Sequence, residues 1–197
     1  MDRNAKANTL LEPTILKVPQ SMASLVQVSV HSVMSKAFIR ETAYVFPEQN
    51  LKDLIVIHTM QHARLNMVSF GEDVENEKDR LIKSFFRFAT YIHDSLKSIG
   101  SYWIDYIDPC SGLPMCSEGH NMFNEVECAQ TLLGYRIMNV GCCKIILHPQ
   151  WGSSVYPASI FTTAPSEVVL EVLSRLEKGS VEDAEQSGDL YLSQDAS

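Results

Sequence analysis

From residue 25 to residue 176 the apolar positions switch repeatedly between a spacing of two and a spacing near 3.6. Leu25-Val-Gln-Val-Ser-Val30 alternates apolar and polar residues, which predicts a half-buried strand, and Leu54–Ile57 predicts a short apolar one. Over 73–99, Leu81, Phe85, Ala89, Ile92, Leu96 and Ile99 recur at steps of three and four, the signature of a long amphipathic helix. Asp73, Glu75 and Glu77 suit its positive N-terminal end, Lys97 its last turn and Gly100 its exit. Tyr102–Ile107 predicts a strand, closed by the turn Asp108-Pro109-Cys110-Ser111-Gly112. Asn124, with Glu127 three residues on, has the form of a helix cap, for a short helix stopping near Gly134. Lys144–His148 and Val155–Thr162 are the last two strands, and Pro157, lacking an N–H, places the final one at an edge or a bulge. Val168, Val169, Val172, Leu173 and Leu176 predict a closing helix before Gly179. A long helix packed on a largely antiparallel sheet is an α+β domain.

Outside this patterned region the chain changes character. Residues 1–21 mix Arg3, Lys6 and Lys17 with Asp2 and Glu12 around Pro13 and Pro19, and read as a flexible N-terminal arm without a signal-peptide core. Residues 180–197 carry Glu182, Asp183, Glu185, Asp189 and Asp195 among Ser and Gln, and read as a disordered acidic tail. The folded unit is expected over 22–179. A formal charge of −8 argues against a nucleic-acid partner, and no apolar run reaches the roughly 18–20 residues that span a bilayer. Five cysteines, an odd number with one adjacent pair, do not make a disulfide framework and favour a reducing compartment.

Adjacent Cys142 and Cys143 carry the most chemistry. In a strand, Cys143, Ile145 and Leu147 share one face, and Cys142, Lys144, Ile146 and His148 the other. Cys143 then reads as packing, whereas Cys142 lies two residues from a cation on a face that also carries an imidazole, and positive charge favours thiolate. An accessible thiolate is a metal ligand or a nucleophile. His148, six residues from Cys142, is about 20 Å away along a strand, so any base for a thiol-dependent redox enzyme would come from elsewhere. Cys110, Cys116, His120 and Cys128 fall in one window and could form a zinc-stabilised interaction module, although their spacings lack the tight pairs of zinc ribbons. Loop and core cysteines are the plainer reading. His58 and His62 read as surface or sheet-end histidines, Phe85, Phe86 and Phe88 as core, and Trp103 and Trp151 as sheet residues or pocket lining. No phosphate loop, nucleophile elbow or metalloprotease helix is present.

The segments Tyr102-Trp-Ile-Asp-Tyr-Ile-Asp-Pro-Cys-Ser-Gly-Leu113, Val140-Gly-Cys-Cys-Lys-Ile145, His148, Trp151-Gly152 and Ser159-Ile-Phe-Thr162, taken in order, resemble the C-terminal domain of the CblD family of cobalamin trafficking proteins, over about 22–164. The resemblance implies a single nitroreductase-like domain that binds no flavin and acts as an adaptor rather than an enzyme. It implies CblC as the partner that holds vitamin B12, with the cobalamin routed to methionine synthase and methylmalonyl-CoA mutase. The cobalt-coordinating thiol of the family falls on Cys142, with Lys144 placed to support the thiolate; soft sulfur suits cobalt. The expected location is the cytoplasm, with the mitochondrion as a second.

Overall fold

The computed structural model describes residues 7–19, 25–141 and 143–189. Five strands, β1 (Ala7–Leu16), β2 (Val26–Val33), β3 (Ile55–His62), β4 (Ile104–Tyr106) and β7 (Val155–Thr162), form one sheet in the order β1-β2-β3-β7-β4, antiparallel at every step. A separate two-stranded hairpin joins β5 (Arg136–Val140) to β6 (Cys143–Leu147). The helices are α1 (Lys36–Val45), α2 (Glu72–Ile99), α3 (Glu125–Leu133) and α4 (Ser166–Asp189). This is the α+β arrangement that the hydrophobic pattern predicts, and no described helix is long and apolar enough to cross a membrane.

The sheet is covered on both faces. On one, Val28, Val30, Ile57, Ala158 and Ile160 pack against Phe85, Phe88, Ile92 and Leu96 of α2 and Val169, Val172 and Leu176 of α4. On the other, Val56, Met60, Val155 and Phe161 meet Phe38 of α1, Cys128 and Ala129 of α3, and Ile146 of β6. Strand β2 is therefore not half-buried as its alternation suggests. Its polar positions Gln27, Ser29 and His31 are buried too: Gln27 bonds Tyr135 and His148, and His31 bonds Ser29 and Thr9. Helix α2 begins at Gly71, whose φ of 131° suits a residue without Cβ, and Glu72, Asp73 and Glu75 fill its first turn.

Four expectations change. Ala7–Leu16, placed in the flexible arm, is an edge strand whose register shifts around Leu11–Thr14, where Pro13 can sit without a ladder hydrogen bond. Helix α4 runs through Gly179 to Asp189, into the stretch expected to be a disordered tail; residues 190–197 lie outside the described ones. Elements α1 and β5 add to those read from periodicity. Strand β7 is an inner strand, yet Pro157 is accommodated because β4 pairs only with Ile160–Thr162. The Ser159 carbonyl accepts from Ile107 N–H on the β4 side. Two residues earlier, Pro157 turns its missing N–H toward the same side, beyond the end of β4.

Candidate functional site

Helix α3 and the hairpin form one unit against the sheet. The Asn124 side chain accepts from Val126 and Glu127 N–H groups to start α3, and Gly134, at φ 67°, ends it as the capping pattern predicts. Glu127 turns outward to Lys144, whose Nζ lies 2.9 Å from its Oε1. Val140 pairs with Cys143, and Gly141 follows β5 at φ 60°, a conformation that favours glycine. Ile146 packs with Met60, Ala129 and Val155. The buried face of β6 is thus that of Ile146 and His148, while Ile145 and Leu147 are half-buried. That reverses the expected sidedness, because α3 covers the Lys144 face. Cys142 lies outside the described residues. Lys144 is exposed and ion-paired with Glu127.

His148 does not supply a charge. Its Nδ1 accepts from Gln150 and Trp151 N–H at 3.2 and 3.1 Å, so the proton sits on Nε2, which donates to Gln27 Oε1 at 3.1 Å. The ring stacks on Trp151 at 4.2 Å and meets the edge of Tyr135. Burial, then the neighbouring His62, lowers its pKa to about 4, so the imidazole is neutral at pH 7. His148 and Trp151 anchor the end of β6.

The residues of the zinc window do not converge. Cys110 and Cys116 are exposed on the loop after β4, and Cys128 is buried on the sheet-facing side of α3. Although the residue reaches solvent, partial desolvation of the Cys116 thiol and then the charge of Asp105 push it up to about 11, which leaves it protonated at neutral pH. Among the described residues one group of potential ligands does converge: His58, Glu125 and Cys128, with donor atoms all within 4.8 Å of one another.

That group crowns a polar row that sequence reasoning missed. Ser29, His58 and Ser159 are direct cross-strand partners on β2, β3 and β7. Ser159 Oγ donates to Glu125 Oε2 at 2.6 Å and receives His58 Nδ1 at 2.9 Å. Cys128 Sγ lies 4.0 Å from His58 Nδ1 and 3.8 Å from Ser159 Oγ. His58, 1% exposed, is not a surface or sheet-end histidine. Burial, then the charge of His31, lowers its pKa to about 3, burial raises Glu125 to about 7, and burial holds the Cys128 thiol well above its ordinary range. The row is no hydrolytic triad: Ser159 is fully buried and gives its proton to Glu125 rather than to His58. The sequence signal was present in polar positions that alternate along predicted strands but carry hydroxyl, amide or imidazole groups rather than charges.

A family model described as methylmalonic aciduria and homocystinuria type D protein matches residues 17–175. The chain is 35% identical over 132 residues to the cobalamin trafficking protein CblD of Gallus gallus, covering 66% of this chain and 44% of that protein. The Homo sapiens protein of that name gives the same identity and coverage, and the Rattus norvegicus one is 34% identical over 129 residues, 65% of this chain and 43% of that protein. The chain spans less than half the length of these curated relatives.

Proposed function

Because the chain belongs to the methylmalonic aciduria and homocystinuria type D protein family, we propose that it acts in cobalamin trafficking, as an adaptor rather than an enzyme. The observation that carries this reading is the family match itself, which runs through the hairpin and includes Gly141-Cys142-Cys143-Lys144. In this reading a CblC-type protein presents cobalamin, and the Cys142 thiolate coordinates its cobalt. The cofactor is then passed toward methionine synthase or methylmalonyl-CoA mutase. Classification as a flavin-free nitroreductase-like domain belongs to the same proposal, as does a cytoplasmic location with the mitochondrion as a second.

The local chemistry is compatible. Thiolate is a soft ligand and cobalt an acceptor for it. Lys144 is the cation nearest in sequence, and it keeps an exposed ammonium although Glu127 shares it. His148 is neutral and buried, which leaves Lys144 as the positive group on that strand face.

The test mixes the chain with a CblC-type protein loaded with cob(II)alamin and follows the cobalt absorption and paramagnetic resonance spectra. A sulfur-ligated signature is expected with the wild type and absent with Cys142→Ala. An unchanged signature in Cys142→Ala, with Cys143 intact, removes Cys142 as the ligand. Weakening of the signature by Lys144→Ala, with a higher pH needed to restore it, is the expected mark of electrostatic support.

A further inference from the structure

We propose that His58, Glu125 and Cys128 form a buried binding site for a divalent transition-metal ion of the zinc class, clamping α3 to β3. The site is separate from Cys142 and does not depend on the cobalamin reading. Each ligand is at most 9% exposed; His58 comes from β3, and Glu125 and Cys128 from successive turns of α3. One thiol, one imidazole and one carboxylate are a borderline-to-soft set that suits zinc or cobalt(II) rather than magnesium or calcium.

One buried atom supports the assignment directly. Glu125 Oε1 has no hydrogen-bond partner among the described residues, and a cation held by the carboxylate answers that uncompensated burial. Metal bonds of roughly 2.0–2.3 Å place tetrahedral donors about 3.3–3.8 Å apart. His58 Nδ1 lies 3.8 Å from Glu125 Oε2 and 4.0 Å from Cys128 Sγ, and all three donors lie within 4.8 Å of one another, so side-chain rotations that draw them in by up to about 1 Å close the set. The Ser159 hydroxyl now lies between the donors and turns aside about a single bond when the ion enters.

Two cavities approach the cluster without opening onto its donor atoms. Cys128 lines a cavity of about 240 Å³ between α1 and α3, with Phe38, Tyr44 and Met122 at its wall. Glu125 lines a second, of about 460 Å³, beside Cys110, Tyr156 and Pro157. On binding, the Cys128 proton leaves to solvent as its sulfur bonds the ion, any Glu125 carboxyl proton leaves with it, and the His58 proton shifts from Nδ1 to Nε2 so that the Nδ1 lone pair faces the ion, with no change of oxidation state. Affinity therefore rises with pH. Because α3 holds the hairpin through Glu127–Lys144 and Ala129–Ile146, an occupied site stiffens β6.

The test loads the purified chain with zinc, dialyses it and measures bound metal, and repeats the loading with inorganic cobalt(II) as a chromophore. One equivalent per chain is expected, with a thiolate-to-cobalt charge-transfer band and an X-ray absorption spectrum showing one sulfur among nitrogen and oxygen ligands. A variant in which Cys110, Cys116, Cys142 and Cys143 are all serine keeps the band. Cys128→Ala loses it, and Glu125→Gln weakens cobalt binding at least tenfold. Absence of a stoichiometric ion, a sulfur-free spectrum, or a band lost from the four-serine variant while its far-UV circular dichroism is unchanged overturns the proposal. The four-serine result does so even if Cys128→Ala fails to fold.

Discussion

Asp105 shows how one buried carboxylate can shape a long loop. Its Oδ1 accepts from the N–H groups of Tyr106, Met115 and Cys116 at 2.8, 3.1 and 2.9 Å, and its Oδ2 from Ser117 at 2.7 Å. The side chain is fully buried, so the loop from 115 to 117 is pinned to β4 by charge-assisted bonds. Asp105→Ala takes this acceptor from all four amides, of which Met115 N–H keeps a second bond, to Tyr106 O at 3.0 Å, and is expected to cost about 2–3 kcal/mol, read as a lower urea midpoint with faster proteolysis near Met115. Asp105→Asn keeps one carbonyl oxygen and costs less. It also removes a negative charge that helps hold the Cys116 thiol at about 11, so alkylation of Cys116 at pH 8 is expected to accelerate in the Asn variant. An unchanged alkylation rate leaves burial, the larger cause, as the whole cause.

At the scale of elements, the hairpin and α3 stand or fall together, and the contacts between them are unequal. Ile146 is 4% exposed against Met60, Ala129 and Val155, and Ile146→Ala is expected to cost about 2–4 kcal/mol and to raise amide exchange throughout β5 and β6. The Lys144–Glu127 pair is about half exposed on both sides, so Lys144→Ala is expected to cost under about 1 kcal/mol. A change at Lys144 that unfolds the hairpin would contradict this division of labour. The strong periodic elements were legible in sequence: α2, β7 and the capped α3 stand where the pattern puts them. What failed to show was coverage. Gln27 and Ser29 read as outward positions and His58 as a surface or sheet-end one because alternation reports two faces but not whether a second layer covers the polar one. The same limit hid the Glu125–Ser159 bond, which joins residues of α3 and β7 that no local spacing relates. Cys128 was visible only as a member of the wrong group, since proximity in sequence to Cys110 and Cys116 is not proximity in the fold.

For the molecule as a whole, the covered polar face makes stability depend on pH. His31, His58 and His148 are buried and neutral, with pKa values lowered to about 4, 3 and 4 chiefly by desolvation. The unfolded chain takes up protons on these rings near pH 6.5, whereas the folded chain resists until far lower, so more protons bind to the unfolded state between those values. Stability is therefore full above about pH 6.5 and falls as pH drops toward 4, by on the order of 2–3 kcal/mol for each of His31 and His148. Two carboxyls modify the slope. Glu125, raised to about 7 by burial, binds its proton more readily folded than unfolded, so its contribution grows as pH falls from about 7 and partly offsets the histidines. Glu77, lowered by its hydrogen bonds to Arg80, loses its contribution as acid protonates it, adding to the decline. Three rings against one carboxyl leave a net loss on acidification. Urea midpoints measured from pH 7 to pH 4.5 are expected to fall steadily. In His148→Gln one titrating ring is gone, and its curve should be shallower by up to one bound proton, about 1.4 kcal/mol per pH unit. Superimposable slopes would mean that His148 takes its proton as easily inside the fold as outside it. Its stacking on Trp151 and its two backbone N–H donors to Nδ1 argue that it does not, because a proton at Nδ1 would have to displace both.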